Sequence, residues 1–258
     1  MTILFHEIVY GPVHSRRMGV SLGVNLLPYD GKLCSFDCIY CECGFNRDFR
    51  TKTKLPSSEN VRAALENKLQ LLKNENTKLD VITFAGNGEP TLHPDFATII
   101  DDTVLLRNQL MPDTKINVLT NGTKIANEPV FNALRKIDSP ILKLDSAFDE
   151  TARLIDQPNS PDYSVVQQIE LYQKFNGDFV LQTMFLRGEF DGKTVNNLSE
   201  KEISAWLEVV KKLHPREVMI YTINRETPVK NLEKASVCEL HYIAERVEKL
   251  GIKTNVAG

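Results

Sequence analysis

The chain has 258 residues, of which 42% are hydrophobic and 25% are charged, so a disordered, collagen-like or coiled-coil protein is excluded. The net charge of −3 argues against a global positive field of the kind that attracts nucleic acid. The first ten residues lack the pattern of a signal peptide, and no stretch approaches the roughly 18 apolar residues of a membrane helix. We therefore expect a cytoplasmic protein that does not contact a membrane.

Apolar strand-like runs alternate with amphipathic helical patterns after residue 29, as in a series of strand–helix units. Strands are predicted at residues 19–27, 80–85, 115–119, 140–144, 179–186 and 217–223, with a short final strand at 252–256. Helices are predicted from residue 57 or 58 through 72, and at about 94–107, 128–136, 164–175, 199–213 and 236–250.

The order of these elements predicts the fold class. Consecutive strand–helix units with right-handed crossovers build a parallel sheet, and about six units curl it without necessarily closing it. We predict an α/β fold, a partial (β/α)6 TIM-like barrel with parallel strands. No Ser/Gly-rich linker interrupts the pattern, so residues 1–258 are predicted to be one domain, with 1–18 as an N-terminal extension and 19–258 as the partial barrel.

Four of the five cysteines, Cys34, Cys38, Cys41 and Cys43, lie within ten residues. Thiolates are soft metal ligands, and a chain without a secretory signal favours a metal site over disulfides. A C-x3-C-x2-C arrangement can hold three irons of a cubane cluster and leaves the fourth iron without a cysteine. The alternative is a zinc site with Cys43 as fourth ligand, although zinc sites usually take two separated cysteine pairs. The segment that contains these four cysteines follows the first predicted strand. We therefore expect it at the carboxyl-terminal rim of the strands, where barrels bind ligands.

The segment from Cys34 to Cys41, with Tyr40 directly before Cys41, resembles the C-x3-C-x-aromatic-C signature of the radical S-adenosylmethionine (radical SAM) superfamily. The resemblance implies that Cys34, Cys38 and Cys41, called the signature cysteines below, bind a [4Fe–4S] cluster. It also implies that the open iron chelates SAM, and that reduction cleaves SAM to methionine and a 5′-deoxyadenosyl radical that abstracts hydrogen from a substrate. The partial barrel of this family agrees with the strand count above.

The glycine-rich turn from Gly86 to Pro90 resembles the family's G-G-E-P motif, which receives the SAM ammonium, but it departs from that motif at Asn87. Glycines still allow close approach of the backbone, and Glu89 still offers a carboxylate to a cation. The cofactor-binding residues that the resemblance implies are Tyr40, Gly86, Asn87, Gly88, Glu89, Thr120, Asn121, Lys143, Asp145 and Gln182.

Alternatives remain for several of these residues. Thr120, Asn121 and the following glycine match the family's T-N-G motif, but Asn-Gly is also a common turn. Gln182 lies in an apolar predicted strand, where its amide needs hydrogen-bond partners, and a satisfied core amide is the alternative to a contact with SAM.

Substrate-side residues are predicted at the ends of the fifth and sixth strands: Arg187, Tyr221 and Arg225. An arginine fork binds carboxylate or phosphate in bidentate fashion, and a tyrosine ring offers a stacking face. The alternative is that both arginines cap helix ends or pair with Glu189 and Glu226.

Four segments resemble the wyosine-synthase-like branch of the superfamily: 10–17, 86–94, 182–188 and 221–225. Characterised members of that branch modify a guanine in tRNA using pyruvate, and others have unknown substrates. The acidic net charge and the lack of an RNA-binding appendage do not favour tRNA here. The expected partner is a reductant such as flavodoxin or ferredoxin. A zinc-stabilised binding module and an iron–sulfur electron carrier without SAM chemistry are the alternatives to a radical SAM enzyme.

Overall fold

The computed structural model describes residues 3–15, 17–49 and 52–258, and within them it contains eleven β-strands and seven α-helices. The strands are β1 (Val9–Ser15), β2 (Gly19–Val24), β3 (Val81–Phe84), β4 (Lys115–Thr120), β5 (Ser139–Lys143), β6 (Val180–Met184), β7 (Leu186–Phe190), β8 (Lys193–Asn196), β9 (Glu217–Tyr221), β10 (Leu232–Lys234) and β11 (Lys253–Ala257). The helices are α1 (Ser58–Asn74), α2 (Phe96–Leu110), α3 (Glu128–Leu134), α4 (Asp149–Asp156), α5 (Val165–Gln173), α6 (Glu200–Leu213) and α7 (Val237–Glu248). None of the helices in this described part is both long and apolar enough to cross a membrane.

The chain divides into two compact units. Among the described residues, the N-terminal unit lies within Leu4–Cys34 and Asn46–Pro140, and the C-terminal unit comprises Ile3, Ser35–Phe45 and Ile141–Gly258. In the N-terminal unit the strand order is β1-β2-β3-β4, with β1 antiparallel to β2 and the remaining pairs parallel. In the C-terminal unit, β5, β6, β9 and β11 pair in that order, all parallel, and β10-β7-β8 form a separate antiparallel sheet.

Helix α1 shows why the predicted helices form. Ser57 caps it by accepting a hydrogen bond from the Asn60 amide. Its buried residues recur at intervals of three or four, so they form one apolar stripe: Val61, Leu65, Leu69 and Leu72. Burial of each such side chain stabilises the fold by about 1.5–3 kcal/mol. All four residues of β3 are buried, as expected for a parallel strand that is covered on both faces.

The structure corrects three of the predicted elements. The strand predicted first, 19–27, is β2, because the antiparallel β1 precedes it. Helix α4 lies in residues 147–163, where no element was predicted. The run 179–186 is not one strand, because the chain leaves β6 at Phe185, whose amide donates to the Tyr221 carbonyl, and then enters the small sheet as β7.

Candidate cofactor site

The predicted site residues are divided between the two units. The N-terminal unit contains Cys34, Gly86, Asn87, Gly88, Glu89, Thr120 and Asn121, and the C-terminal unit contains Cys38, Tyr40, Cys41, Lys143, Asp145, Gln182, Arg187, Tyr221 and Arg225.

In the C-terminal unit, the cysteine loop (residues 35–45) is held by the carboxyl end of α4. The Asp37 amide donates to the Asp156 carbonyl at 3.0 Å, and the Ile39 amide donates to the Ile155 carbonyl at 2.9 Å. The last carbonyls of a helix have no partner inside the helix, so they are available to bind loop amides. A helix that the sequence analysis missed therefore shapes the loop on which two of the signature cysteines lie.

Hydrogen bonds within the loop form tight turns around these cysteines. The Cys41 amide donates to the Cys38 carbonyl at 3.0 Å, and the Gly44 amide donates to the Cys41 carbonyl at 2.9 Å. Cys38 and Cys43 are buried and Cys41 is half-buried, whereas Cys238 is exposed on α7. All five cysteines lie in the described part of the chain and none is in a disulfide, so the thiols suit metal ligation.

In the N-terminal unit, two asparagines contact Cys34. The Cys34 amide donates to Asn46 Oδ1 at 2.9 Å, and Asn46 Nδ2 donates back to the Cys34 carbonyl at 3.0 Å. Asn121 Nδ2 lies 3.7 Å from Cys34 Sγ, within range of an N–H···S contact. The role of Asn46 was not predicted, because no local pattern links a side chain to a backbone segment twelve residues away.

The Glu89 carboxylate is the centre of a buried hydrogen-bonded cluster beyond the ends of β3 and β4. Oε1 accepts from the Thr91 amide at 3.1 Å, the Thr91 hydroxyl at 2.5 Å and the Thr120 hydroxyl at 2.7 Å. Oε2 accepts from the Asn121 amide at 2.7 Å. Burial raises the pKa of Glu89 above its ordinary value, and these hydrogen bonds oppose the rise. Three residues predicted to bind SAM are thus brought together with Cys34 in one unit.

Asn87, the residue that departs from the G-G-E-P pattern, binds the N-terminal segment. Its Oδ1 accepts from the Phe5 amide at 2.8 Å, and its Nδ2 donates to the carbonyls of Phe5 and Pro28, both at 2.8 Å. Asn87 is fully buried, and its own carbonyl accepts from the Leu33 amide at 2.9 Å. The side chain therefore clamps the glycine-rich turn to two other segments of the N-terminal unit.

The two glycines beside Asn87 are required by close packing. A Cβ on Gly86 would lie 2.4 Å from Asn25 Oδ1, and one on Gly88 would lie 1.9 Å from the Leu33 carbonyl oxygen. Gly88 also has a φ of +140°, a conformation that other residues rarely adopt. The two glycines therefore let this turn pack directly against Asn25 and the Leu33 backbone.

Four charged or phenolic side chains meet in the interior of the C-terminal unit. The Lys143 ammonium donates to the Tyr40 hydroxyl, to Asp145 Oδ2 and, at 2.8 Å, to Asp156 Oδ1. The Tyr40 hydroxyl donates to Asp145 Oδ2, and the Cys38 thiol lies 3.6 Å from Asp156 Oδ1. Burial lowers the pKa of Lys143, but the two carboxylates outweigh burial and raise it well above its ordinary value. Burial also raises the pKa of Asp156, to about 7, against the opposing effect of Lys143.

Gln182 is buried in β6, paired in register with Lys143 of β5 and with Met219 of β9. A contact of its side-chain amide with SAM stays a prediction, with a satisfied core amide as the alternative.

The two substrate-side arginines have partners other than those considered from the sequence. Arg187 pairs with Glu239, the residue that closes the capping box of α7 with Ser236, instead of with Glu189. Arg225 pairs with Glu42 at 2.6 Å instead of with Glu226. Both ion pairs join residues that are far apart in the sequence, so the alternative pairing with the nearby Glu189 and Glu226 is wrong.

A cavity of about 140 Å³ lies beside Cys41, within the C-terminal unit. Its other lining residues are Glu42, Gly44, Glu226, Thr227, Pro228 and Lys230. Pockets for whole ligands are roughly 300–1,000 Å³, so this one has room only for a small group such as a carboxylate. The Arg225 side chain is 56% exposed and contacts the Glu42 carboxylate at this cavity.

The signature cysteines carry the donor atoms that an iron–sulfur cluster requires. Among the described residues, no group of three or more His, Cys, Asp or Glu side chains is placed to hold one metal ion. A cubane cluster takes each thiolate on a different iron, so its three cysteines need not converge on one point. Thiolate sulfur is the donor that such clusters require, and all three signature positions provide it.

One family model and several known proteins are similar to this chain. A family model described as the radical SAM superfamily matches residues 30–200. The chain is 35% identical over 223 residues to a GTPase Obg of Brachyspira hyodysenteriae, covering 85% of this chain and 30% of that protein. It is 32% identical over 225 residues to a UPF0026 protein of Helicobacter pylori strain 26695, covering 86% of this chain and 68% of that protein. The chain thus spans less than a third of the first relative's length.

Solved structures share the fold at low sequence identity. A radical SAM methyltransferase from Sphaerobacter thermophilus has a TM-score of 0.65 at 15% identity, covering 92% of this chain and 65% of that chain. SuiB of Streptococcus suis, solved with S-adenosylmethionine bound, has a TM-score of 0.63 at 15% identity, covering 91% of this chain and 50% of that chain. TYW1 with a lysine-pyruvate adduct has a TM-score of 0.61 at 14% identity, covering 90% of this chain and 74% of that chain. These likenesses confirm the predicted fold class, a partial (β/α)6 barrel.

Proposed function

Because the chain belongs to the radical SAM superfamily, and is an enzyme of that class as its sequence predicts, we propose that its signature cysteines bind a [4Fe–4S] cluster. The family implies S-adenosylmethionine, an iron–sulfur cluster and an electron donor. When bound, the cluster would supply the electron for splitting SAM into methionine and a 5′-deoxyadenosyl radical, which would abstract hydrogen from the substrate.

One observation carries this proposal: a chain of contacts in the N-terminal unit links a signature cysteine to predicted SAM residues. Asn121 contacts Cys34 Sγ through its side chain at 3.7 Å and the Glu89 carboxylate through its amide at 2.7 Å. Thr120 joins the same carboxylate at 2.7 Å. A cofactor that is chelated by the cluster must lie beside its ligands, so this adjacency is what SAM binding requires.

The residues of this chain would hold SAM in complementary ways. Glu89 Oε2 accepts one hydrogen bond from the described residues, that from the Asn121 amide, which leaves acceptor capacity for the ammonium of SAM. Such a cation would favour the charged form of Glu89 and so offset the effect of burial on its pKa. Gly86 and Gly88 pack directly against Asn25 and the Leu33 backbone, which fixes the course of the turn that leads to Glu89. Gln182 in β6 is the further residue proposed to contact a polar group of the ligand.

The substrate-side proposal rests on Arg225 and the cavity beside Cys41. An exposed ion pair such as Arg225–Glu42 is worth about 0–1 kcal/mol, so a substrate carboxylate or phosphate could displace Glu42 at small cost. Tyr221, half-buried at the end of β9, offers a ring face. Arg187 is the third candidate, although its pairing with Glu239 links it to the start of α7.

Anaerobic purification tests the cofactor proposal. We expect a brown protein with about four irons per chain that releases 5′-deoxyadenosine from SAM when reduced. A colourless zinc protein would favour the binding-module alternative, and a coloured protein without SAM cleavage would favour an electron carrier. Membership of the family already makes both alternatives less favoured.

A second experiment tests the substrate side. In Arg225→Ala, we expect uncoupled formation of 5′-deoxyadenosine to persist while its stimulation by substrate disappears. A parallel loss of thermal stability and of both activities would instead indicate that the Arg225–Glu42 pair only supports the fold. Normal turnover with normal stability would remove Arg225 from both roles.

The remaining parts of the proposal concern the setting of the enzyme. We propose a one-electron donor such as flavodoxin or ferredoxin, a cytoplasmic location, and one radical SAM domain over residues 1–258 with 1–18 as its extension. The substrate is a small molecule or a macromolecule, and the net charge of −3 does not favour tRNA. Metabolites that accumulate in a deletion strain would identify the substrate class most directly.

A further inference from the structure

The contacts of Lys143 point to a role different from direct SAM binding. A lysine ammonium has three N–H donors. In Lys143 they go to the Tyr40 hydroxyl, Asp145 Oδ2 and Asp156 Oδ1, so all three are engaged within the described residues. The side chain is only 11% exposed, and both carboxylates are almost completely buried. The ammonium is therefore saturated inside the C-terminal unit.

We propose that Lys143 is a positioning residue that orders the cysteine loop through its contacts with Tyr40 and Asp156, and that it does not itself bind SAM. This inference rests on the proposed function, because it assumes that the loop holds the cluster. Tyr40 lies between Cys38 and Cys41, so fixing its hydroxyl fixes the turn that separates these two ligands. Asp156 lies at the end of α4, whose carbonyls bind the loop amides of Asp37 and Ile39.

The two connections reinforce each other. Lys143 holds the Asp156 side chain, and the same carboxylate lies 3.6 Å from the Cys38 thiol. Asp145 completes the arrangement, because its Oδ2 accepts from both Lys143 and Tyr40 while its Oδ1 accepts from the Met184 amide of β6 at 2.9 Å. The loop is thus tied to β5, β6 and α4 through one ammonium group.

Hydrogen exchange in the cofactor-free protein tests this role without any cluster. In Lys143→Met, the Asp37 and Ile39 amides should exchange about tenfold faster, as loss of a hydrogen bond to a charged group implies. A general loss of stability would speed all slow amides equally, so the buried Val218 amide of β9 is the internal reference. Lys136→Met is the matched control, because Lys136 pairs with Asp101 at 2.5 Å on the surface.

A second variant keeps the test decisive if Lys143→Met fails to fold, since it leaves two buried carboxylates without their cation. Tyr40→Phe removes one oxygen atom and no charge. We expect it to speed exchange at Ile39 in the same way, and both variants should lose a reconstituted cluster to an iron chelator faster than Lys136→Met does. The proposal would be overturned if the Ile39 amide exchanged no faster in Tyr40→Phe than in Lys136→Met, and likewise in any Lys143→Met protein that folds.

Ligand fragments separate this role from direct binding. If Lys143 bound the SAM carboxylate, the cluster-loaded Lys143→Met variant would bind SAM and methionine more weakly, bind 5′-deoxyadenosine normally, and show normal loop exchange. That pattern would overturn the proposal. Failure of the wild-type protein to bind iron or cleave SAM would refute the proposed function instead, and the exchange result would still report whether Lys143 orders the loop.

Discussion

Replacement of Asn87 by glycine would restore the family's G-G-E-P pattern, and we expect it to destabilise this protein. The variant loses three hydrogen bonds of 2.8 Å, to the Phe5 amide, the Phe5 carbonyl and the Pro28 carbonyl. At about 1 kcal/mol each, with about 0.5–1 kcal/mol for the added backbone freedom of glycine, the free energy of unfolding should fall by about 3.5–4 kcal/mol.

The matched control is Asn127→Gly. Asn127 caps α3, and its side chain accepts one hydrogen bond, from the Val130 amide at 3.3 Å. Exchanging an asparagine cap for glycine costs only a few tenths of a kcal/mol. Urea unfolding followed by circular dichroism, with both variants free of cofactor, compares the two losses directly. If Asn87→Gly lost no more stability than Asn127→Gly, the clamp between the glycine-rich turn and the N-terminal segment would be refuted.

Three further predictions concern the ligands, SAM and pH. Alanine at any signature cysteine should abolish cluster assembly, whereas Cys43→Ala should retain it; equal iron loss in Cys43→Ala and Cys41→Ala would show the ligand assignment to be wrong. Glu89→Ala should weaken SAM binding by about tenfold to a hundredfold with the cluster intact, and calorimetry that shows unchanged affinity would remove Glu89 from the site. Hydrogen bonds from the Ser236 amide and hydroxyl, with Arg187, lower the pKa of Glu239 from 4.5 to about 2. Its stabilising effect is therefore present above pH 4.5 and lost as pH falls toward 2, so the stability deficit of Glu239→Gln should be largest at pH 7 and shrink over that range.

The missed helix α4 shows where local patterns were insufficient. The sequence patterns predict no element in residues 147–163, between the predicted strand 140–144 and helix 164–175, although connections of that length are uncommon in compact folds. Asp149 and Glu150 at its start, with Ala152 and Ile155 three residues apart, were the available signal. Because the helix has only two turns, this periodicity was too short to stand out.

Strand β1 was missed for a different reason. Its sequence, with Gly11, Pro12 and His14, lacks an alternation of apolar and polar residues, and its burial is intermediate or low along its whole length. Pairing with β2, including a register shift between Tyr10 and Val13, creates the strand. Tertiary contact, with the Tyr10 ring packed over Gly23, replaces the missing local preference.

Local sequence determined the features that depend on short spacing. The signature cysteines lie within eight residues of one another, and the alternation of β2, α1, β3, α2 and β4 follows from hydrophobic periodicity, so both could be predicted. Tertiary structure alone decided which groups meet. Lys143 pairs with Asp156 of α4, Asn87 with Phe5 and Arg225 with Glu42, and the sequence separation of such partners carries no preference for one acid or carbonyl over another. Burial decides these pairings, because a polar group removed from water must find whichever partner the packed elements bring within reach.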